Sequence, residues 1–352
     1  MIVIFYPKLV NKMKLKPLFL SFCLFIAPAW NAAAADAGLR YISSRGELRC
    51  GTDLTAKTYA YKDEDGFWRG IDADLCRVMA TAVLGRGDKF EMVHVNTNQV
   101  AKALAGNQID VMLGGAPYSA GAEIGSQISP VDIVYYDQQM FLAKNAEKAT
   151  SMEAFKGKKV CTVMNSEELY NLEQFSEKYD LGFAPLLFPS AQKAKEAFLL
   201  NRCPLLTGNA MFLRNVMQTN VSKDTKIELL PEIIAVKPSY LLAAKDNETL
   251  RITLKWVLNA LKLAEEKDIT SQNIDVFTGI RDTATKNLLG SDPKLWKRFS
   301  LNPQWVRKAV KEQGNYGEIF ERNMGKDSSL KLERKENNLL KNGGLIIPLP
   351  FL

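Results

Sequence analysis

Histidine is nearly missing from this chain: His94 stands alone in 352 residues, and the five cysteines form no CxxC pair. A structural zinc site needs closely spaced Cys and His ligands, so no metal is expected. The one histidine lies between apolar neighbours in FEMVHVNT and reads as a strand residue with its bonds satisfied. Neither a Ser/His/Asp nor a Cys/His catalytic set can be assembled from it. There is no GxxxxGK[ST] run, which leaves no cradle for a nucleotide, and no cofactor is expected. Beyond the N-terminal region, no apolar run approaches the roughly twenty residues that a membrane-spanning helix takes. Finally, Val111 to Ala143 contains neither lysine nor arginine, although the whole chain carries 46 basic residues.

What is present begins with an export signal, expected over residues 1–35. Lys12, Lys14 and Lys16 precede an apolar run from Leu18 to Ala29, and small residues follow from Ala32 to Ala35; cleavage is expected near Ala35, with Met1 or Met13 as the start. Pro17 and Pro28 bracket too short an apolar stretch to span a bilayer. The leader holds four lysines and no acid, so 42 basic residues face 39 acidic ones afterwards. This near-neutral balance gives no concentrated basic face for nucleic acid or for a membrane surface. The run KDSSLKLERKENNLLK interleaves both signs and reads as a solvated helix face. Cys50, Cys76, Cys161 and Cys203 remain after the leader, and an even count in an exported chain points to disulfides. Of the three connectivities, Cys50–Cys76 with Cys161–Cys203 is expected, because each closes a loop inside one prospective lobe.

Along the chain, short apolar strands alternate with helices. GELRCGT reads as a strand, YKDEDGFWRG as a hairpin, and IDADLCRVMATAVL as a helix burying Ile71, Leu75, Val78, Met79 and Ala82. QVAKALAGNQ (a helix closed by Gly106) and IDVMLGG (a buried strand) repeat the pattern. A second set follows in KGKKVCTV, EELYNLEQFSEKY, AQKAKEAFLLN and CPLLTGN, and KIELLPEIIAVKPSYLLAAKDN reads as a return strand. The helix ETLRITLKWVLNALKLAEEKDIT buries Leu250, Leu254, Val257, Leu258 and Leu261, and shorter helices are expected after it. Such alternation predicts an α/β fold with a mainly parallel sheet, whose sites lie at strand C-termini: the loops after Gly51, Met112, Val163 and Leu206. One lobe inserted into another by two extended crossings leaves a deep cleft suited to a small molecule.

LRCGTD, GFWRGIDADLCRVMATAV, AGNQIDVM, VYYDQQMF, KKVCTV, NRCPLLT, LPEII, KWVLNALKLAEEKDITSQNID and QWVRKAVKEQGNYGEIFERNMG carry a likeness spanning nearly the whole mature chain. The sequence resembles the amino-acid-binding periplasmic proteins of ABC importers, in the longer branch called general L-amino-acid-binding proteins. The resemblance implies a two-lobe periplasmic binding fold (type II) with a C-terminal helical extension. Its first lobe would take residues 36–140 and return over 238–277, its second lobe 141–237, and the extension, packed on the first lobe, 278–352. It further implies a monomer in the periplasm that delivers a small solute to an ABC permease of the inner membrane.

Against that resemblance the basic-free stretch acquires a meaning. A zwitterion held by its carboxylate needs a bidentate cation and N–H donors, with a carboxylate for its ammonium. The resemblance places the cation, an arginine, at Ala122, and a Thr or Ser donating its N–H at Pro117, which has none. The acid that would meet the ammonium falls at Asn209. Where a Gly-Thr-Thr-like turn would aim N–H groups at an anion, the chain reads MNSEEL; Ser166 suits an N-cap, and Glu167 and Glu168 suit the first turn but oppose a ligand carboxylate. The remaining cleft candidates are Asp53, Tyr59 or Tyr61, Gly114, Gly115, Ala116 and Tyr118. Stranding one partner of a desolvated charge pair costs roughly 2–5 kcal/mol, or about two to four orders of magnitude in affinity.

The expected function is therefore that of an ABC-importer solute-binding protein with altered or weakened amino-acid specificity, its ligand less anionic than an amino acid and cationic in one version of the expectation. A binding or sensory module that has lost transport is the alternative. An enzyme is not expected: a dehydratase-like activity on the same fold would need a perturbed carboxylate, for which Asp53, Glu167 and Glu168 are the candidates.

Overall fold

The computed structural model describes residues 37–54, 59–114, 118–144, 151–219, 226–277 and 282–352. The expected leader, and Gly115, Ala116 and Pro117, lie outside them.

Helix α1 (Ala37–Arg45) leads into strand β1 (Leu48–Thr52). A short hairpin follows, β2 (Tyr61–Lys62) with β3 (Trp68–Arg69), turned by Gly66 at φ 83° and by the Asp63 carboxylate accepting from the Phe67 N–H at 2.8 Å. Helix α2 (Ile71–Leu84) then buries the five residues whose spacing predicts its inner face. It returns the chain to β4 (Phe90–His94), parallel to β1. Helix α3 (Val100–Ala105) and β5 (Val111–Met112) repeat the crossover on the other side of β1.

After α4 (Ala120–Gly125) comes β6, 17 residues from Ile128 to Lys144. A second parallel unit follows: β7 (Lys159–Val163), α5 (Glu167–Lys178), β8 (Ala184–Phe188), α6 (Ala191–Leu199) and β9 (Leu205–Asn209), with β7 between β8 and β9. Helix α7 (Ala210–Thr219) leads to β10 (Ile227–Leu229) and β11 (Ala235–Ala244), both antiparallel to β6. The single return strand read from the sequence is thus two. Pro231 supplies no N–H for a ladder, and the chain bulges away, tied to β6 through Leu230 N to Phe141 O at 2.9 Å and Ile234 N to Gln139 O at 2.8 Å.

The strands form one sheet in the order β4-β1-β5-β11-β6-β9-β7-β8, with β10 also on β6. Its two parallel units face each other across the antiparallel pair β6–β11. Each unit has its own core: Leu48, Leu75, Val78, Met79 and Leu254 in one, and Leu142, Phe198, Leu206, Leu213 and Val216 in the other. In each, a disulfide ties the central strand to neighbouring chain, Cys50–Cys76 from β1 to α2 and Cys161–Cys203 from β7 to the residues before β9.

Helix α8 (Glu248–Glu266) packs its predicted apolar face on the first core. Helices α9 (Thr283–Leu288), α10 (Pro293–Arg298), α11 (Trp305–Gln313) and α12 (Tyr316–Asn323) extend that core with Trp296, Trp305 and Phe320. Phe351, next to the chain end, closes over Trp296 with ring centroids 4.9 Å apart. The charged run from Lys326 to Lys341 is not the solvated helix face its composition suggests. It holds only two single 3-10 turns, over Lys335–Asn337 and Leu340–Asn342, and both Lys331 and Lys335 have positive φ. Its side chains are instead committed to neighbours: Leu330, Asn337 and Leu339 are buried, and Arg334 pairs with Glu265 of α8 at 2.6 Å.

Candidate functional site

In each parallel unit the strand order reverses at the central strand, β1 in one and β7 in the other. Such switch points open a crevice at the strand C-termini. Asp53 follows β1, Gly114 follows β5, Ser166 follows β7, and Asn209 ends β9, so four of the candidate positions stand at these ends.

Contact between the two sides runs through Asn209, whose Nδ2 donates to the Tyr59 hydroxyl at 3.1 Å. Tyr59 is buried and stacks on Tyr135 of β6, with ring centroids 6.3 Å apart and planes 23° from parallel. Near Asn209 lies the carboxylate of Asp137, a buried residue on β6 that accepts from the Gln138 N–H at 2.9 Å. Burial is the main cause that pushes the Asp137 carboxyl up to about 6, against the opposing pull of Asn209, the Gln138 N–H and Lys237. Lys237 lies directly across from Asp137 in the β6–β11 register. Its ammonium meets Glu167 Oε2 at 3.0 Å and Glu168 Oε1 at 3.1 Å.

Ser166 caps α5 as its sequence predicts, its hydroxyl accepting from Leu169 N at 3.2 Å and donating to Val163 O at 2.8 Å. Gln139, buried on β6, anchors the same helix start by donating to the Glu168 carbonyl at 2.8 Å. Burial works to raise the Glu168 carboxyl, but the charge of Lys237 and the bonds around it leave it below its ordinary value. The two carboxylates expected to face a ligand are therefore already engaged by Lys237.

Gly114 sits at φ 72°, and a Cβ there would fall on Thr52 Oγ1 and Asp72 Oδ2. Glycine is required because β5 ends against the Thr52–Asp72 hydrogen bond of 2.7 Å. Tyr118 packs edge-on against Tyr240 of β11 at 5.2 Å, and lies against a different core cluster from the one that holds Tyr59. Tyr61, in the hairpin, is exposed. His94 accepts from Leu54 N at 3.2 Å and lies 3.9 Å from Asp53. Ala122 belongs to α4, but its side chain lies outside the described residues. Asp137 and Lys237 were missed by sequence reasoning; each being the one charged residue in VYYDQQMF and in IIAVKPSYLL was the signal available.

Asp72 is fully buried in the first turn of α2, and one of its carboxylate oxygens has no hydrogen-bond partner. Burial pushes it to about 7, with the Thr52 hydroxyl pulling the other way. Asp72 and Asp137 therefore hold protons in the folded state at pH values where the unfolded chain has lost them. A native state that binds more protons gains stability as the pH falls. From pH 7.5 to 5 the protein is expected to become more stable, Asp72 alone contributing roughly 2 kcal/mol. Urea titrations at the two pH values check this, and Asp72→Asn is expected to remove its share of the difference and leave that of Asp137.

Among the described residues, no group of three or more His, Cys, Asp or Glu side chains is placed to hold a metal ion, and no helix is long and apolar enough to cross a membrane. Comparison with known proteins agrees with the geometry. The chain is 28% identical over 316 residues to the putative amino-acid ABC transporter-binding protein YhdW of Escherichia coli K12, covering 90% of this chain and 92% of that protein. It is equally 28% identical to the general L-amino acid-binding periplasmic protein AapJ of Rhizobium johnstonii, over 89% of this chain and 92% of that one. A solved periplasmic binding protein from Brucella ovis, with glutathione bound, superposes with a TM-score of 0.79 at 29% identity, covering 89% of this chain and 98% of that one. The model of the bacterial extracellular solute-binding proteins, family 3, matches residues 48–299, and the chain, with its two α/β lobes, belongs to that family.

Proposed function

We propose that the chain is the exported solute-binding component of an amino-acid-type ABC importer, that it holds a small solute between lobes divided near residues 140 and 237, and that its preference for ordinary amino acids is altered or weakened. The names of its relatives support the transport reading. The observation that carries the altered preference is the state of Lys237. It is the cation on the crossing strands beside Asn209 and Asp137, and two glutamates already neutralise it. The segment from Val111 to Ala143, where the resemblance places the anchoring arginine, contains no basic residue. A ligand carboxylate would have to displace a glutamate or enter unpaired.

Isothermal titration calorimetry of the mature protein against common L-amino acids, putrescine, short peptides and glutathione tests this reading. Glutathione belongs in the panel because the Brucella ovis protein has it bound. Weak or absent heats with the common amino acids are expected. Ala122→Arg combined with Asn209→Asp should then strengthen their binding by about two orders of magnitude or more. Micromolar or tighter binding of several common L-amino acids by the unaltered protein sinks the altered preference and leaves an ordinary importer component.

A further inference from the structure

We propose that residues 329–337 brace the hinge between the lobes, and that Asn337 and Leu332 position the lobes from outside the cleft. The inference rests on reading the cleft as a solute site that opens and closes. It starts from an unfilled edge. Tyr136 of β6 turns its N–H and C=O away from β11, so Pro238, its partner in the register there, is not called on for the N–H it lacks. On the other edge of β6 the pairing with β9 begins only at Gln139. Asn337 fills this gap as a strand would: its Oδ1 accepts from Tyr136 N at 2.7 Å and its Nδ2 donates to Tyr136 O at 2.8 Å. Asn337 is itself only 4% exposed. Glu336 adds a bond to the Gln138 side chain two residues along.

The segment is fixed to the first lobe. Arg334 forks onto both oxygens of Glu265 and bonds Asn337 O at 2.8 Å, while Leu330 and Leu339 enter the first core. It also reaches the second lobe. Leu332 packs against both core clusters, and Gln218 of α7 donates to the Ser329 carbonyl. Met211, the second residue of α7, is itself part of the first core. Opening that swings α7 away must pull Leu332 from one of its two clusters and break the Gln218 bond. These contacts therefore favour the approximated arrangement of the lobes, and a solute bound there gains affinity in proportion to the population so arranged.

Solution X-ray scattering of the mature protein without ligand tests the brace, alongside circular dichroism and a urea titration. Leu332→Ala and Asn337→Ala are expected to shift the scattering to a larger radius of gyration with native dichroism retained. A role in stability alone would lower the urea midpoint and leave the scattering of the folded protein unchanged. Folded variants whose curves overlay the parent overturn the proposal. Asn337→Asp, which keeps the acceptor for Tyr136 N–H and loses the donor, decides the matter where the alanine variants do not fold. No ligand is involved, so a protein that binds nothing in the calorimetry panel still answers the question.

Discussion

Replacing Cys161 and Cys203 together by alanine is expected to remove about 4 kcal/mol of stability, the chain-entropy value for a closed loop of this length. The pair is separated by 42 residues, and the loop it closes contains all of α5, β8 and α6. Both cysteines are buried in the same cluster as Ala194, Ala197 and Phe198 of α6. Cutting the bond gives the unfolded chain back its freedom while leaving the core nearly intact. The loss should therefore show as a lower urea midpoint with native spectra below it. A double variant as stable as the oxidised parent would mean that the bond does not constrain the unfolded chain. The Cys50–Cys76 pair, separated by 26 residues, should give a slightly smaller loss, about 3.5 kcal/mol on the same relation.

Asp74→Ala is expected to cost about 3 kcal/mol, the lower end of the range for a buried charge pair stripped of one partner. The Asp74 side chain is 7% exposed and takes bonds from Arg77 at 2.5 Å, Arg322 at 2.6 Å and Asn323 at 2.7 Å. Two cations thus converge on one carboxylate. Arg322 is 46% exposed and can turn to water, which holds the cost to the lower end. Because Asp74 joins α2 to α12, the variant should also loosen the C-terminal helices. Hydrogen exchange at residues 305–323 that rises together with the fall in the urea midpoint would show this; a loss below about 1 kcal/mol would place the pair among surface ion pairs.

The sequence made the periodic elements legible because their burial repeats locally. Ile71, Leu75, Val78, Met79 and Ala82 share one face at helical spacing and are all buried, as are Leu250, Leu254, Val257, Leu258 and Leu261. The hairpin at Asp63 to Gly66 and the cap at Ser166 follow from short-range chemistry in the same way, whereas the two cysteine pairs, 26 and 42 residues apart, were legible through their even count and the lobe each pair falls in. Asp137 and Lys237 were not legible, because they meet only through the register of two strands a hundred residues apart. Asn337 was hidden for another reason. Its run has the charge pattern of a solvated helix, and nothing local announces that Tyr136 has backbone groups to be matched. Propensity is a weak prior, and the tertiary partners override it here.

Strand β6 passes without interruption from one lobe to the other, paired with β11 along most of its length and with β9 beyond the crossing. Side chains alternate faces along a strand, so losing or gaining one residue inverts every position downstream. A deletion between Val134 and Gln139 would exchange the residues on the two faces of the strand, Met140 and Leu142 against Phe141 and Ala143, which enter different cores, in one lobe and not in the other. The slack lies on the partner, where the register shifts between Ser239 and Tyr240 and between Leu241 and Leu242. Length changes during divergence should therefore collect in β11 and the loops, leaving the β6 crossing at constant residue count however far the ligand preference drifts.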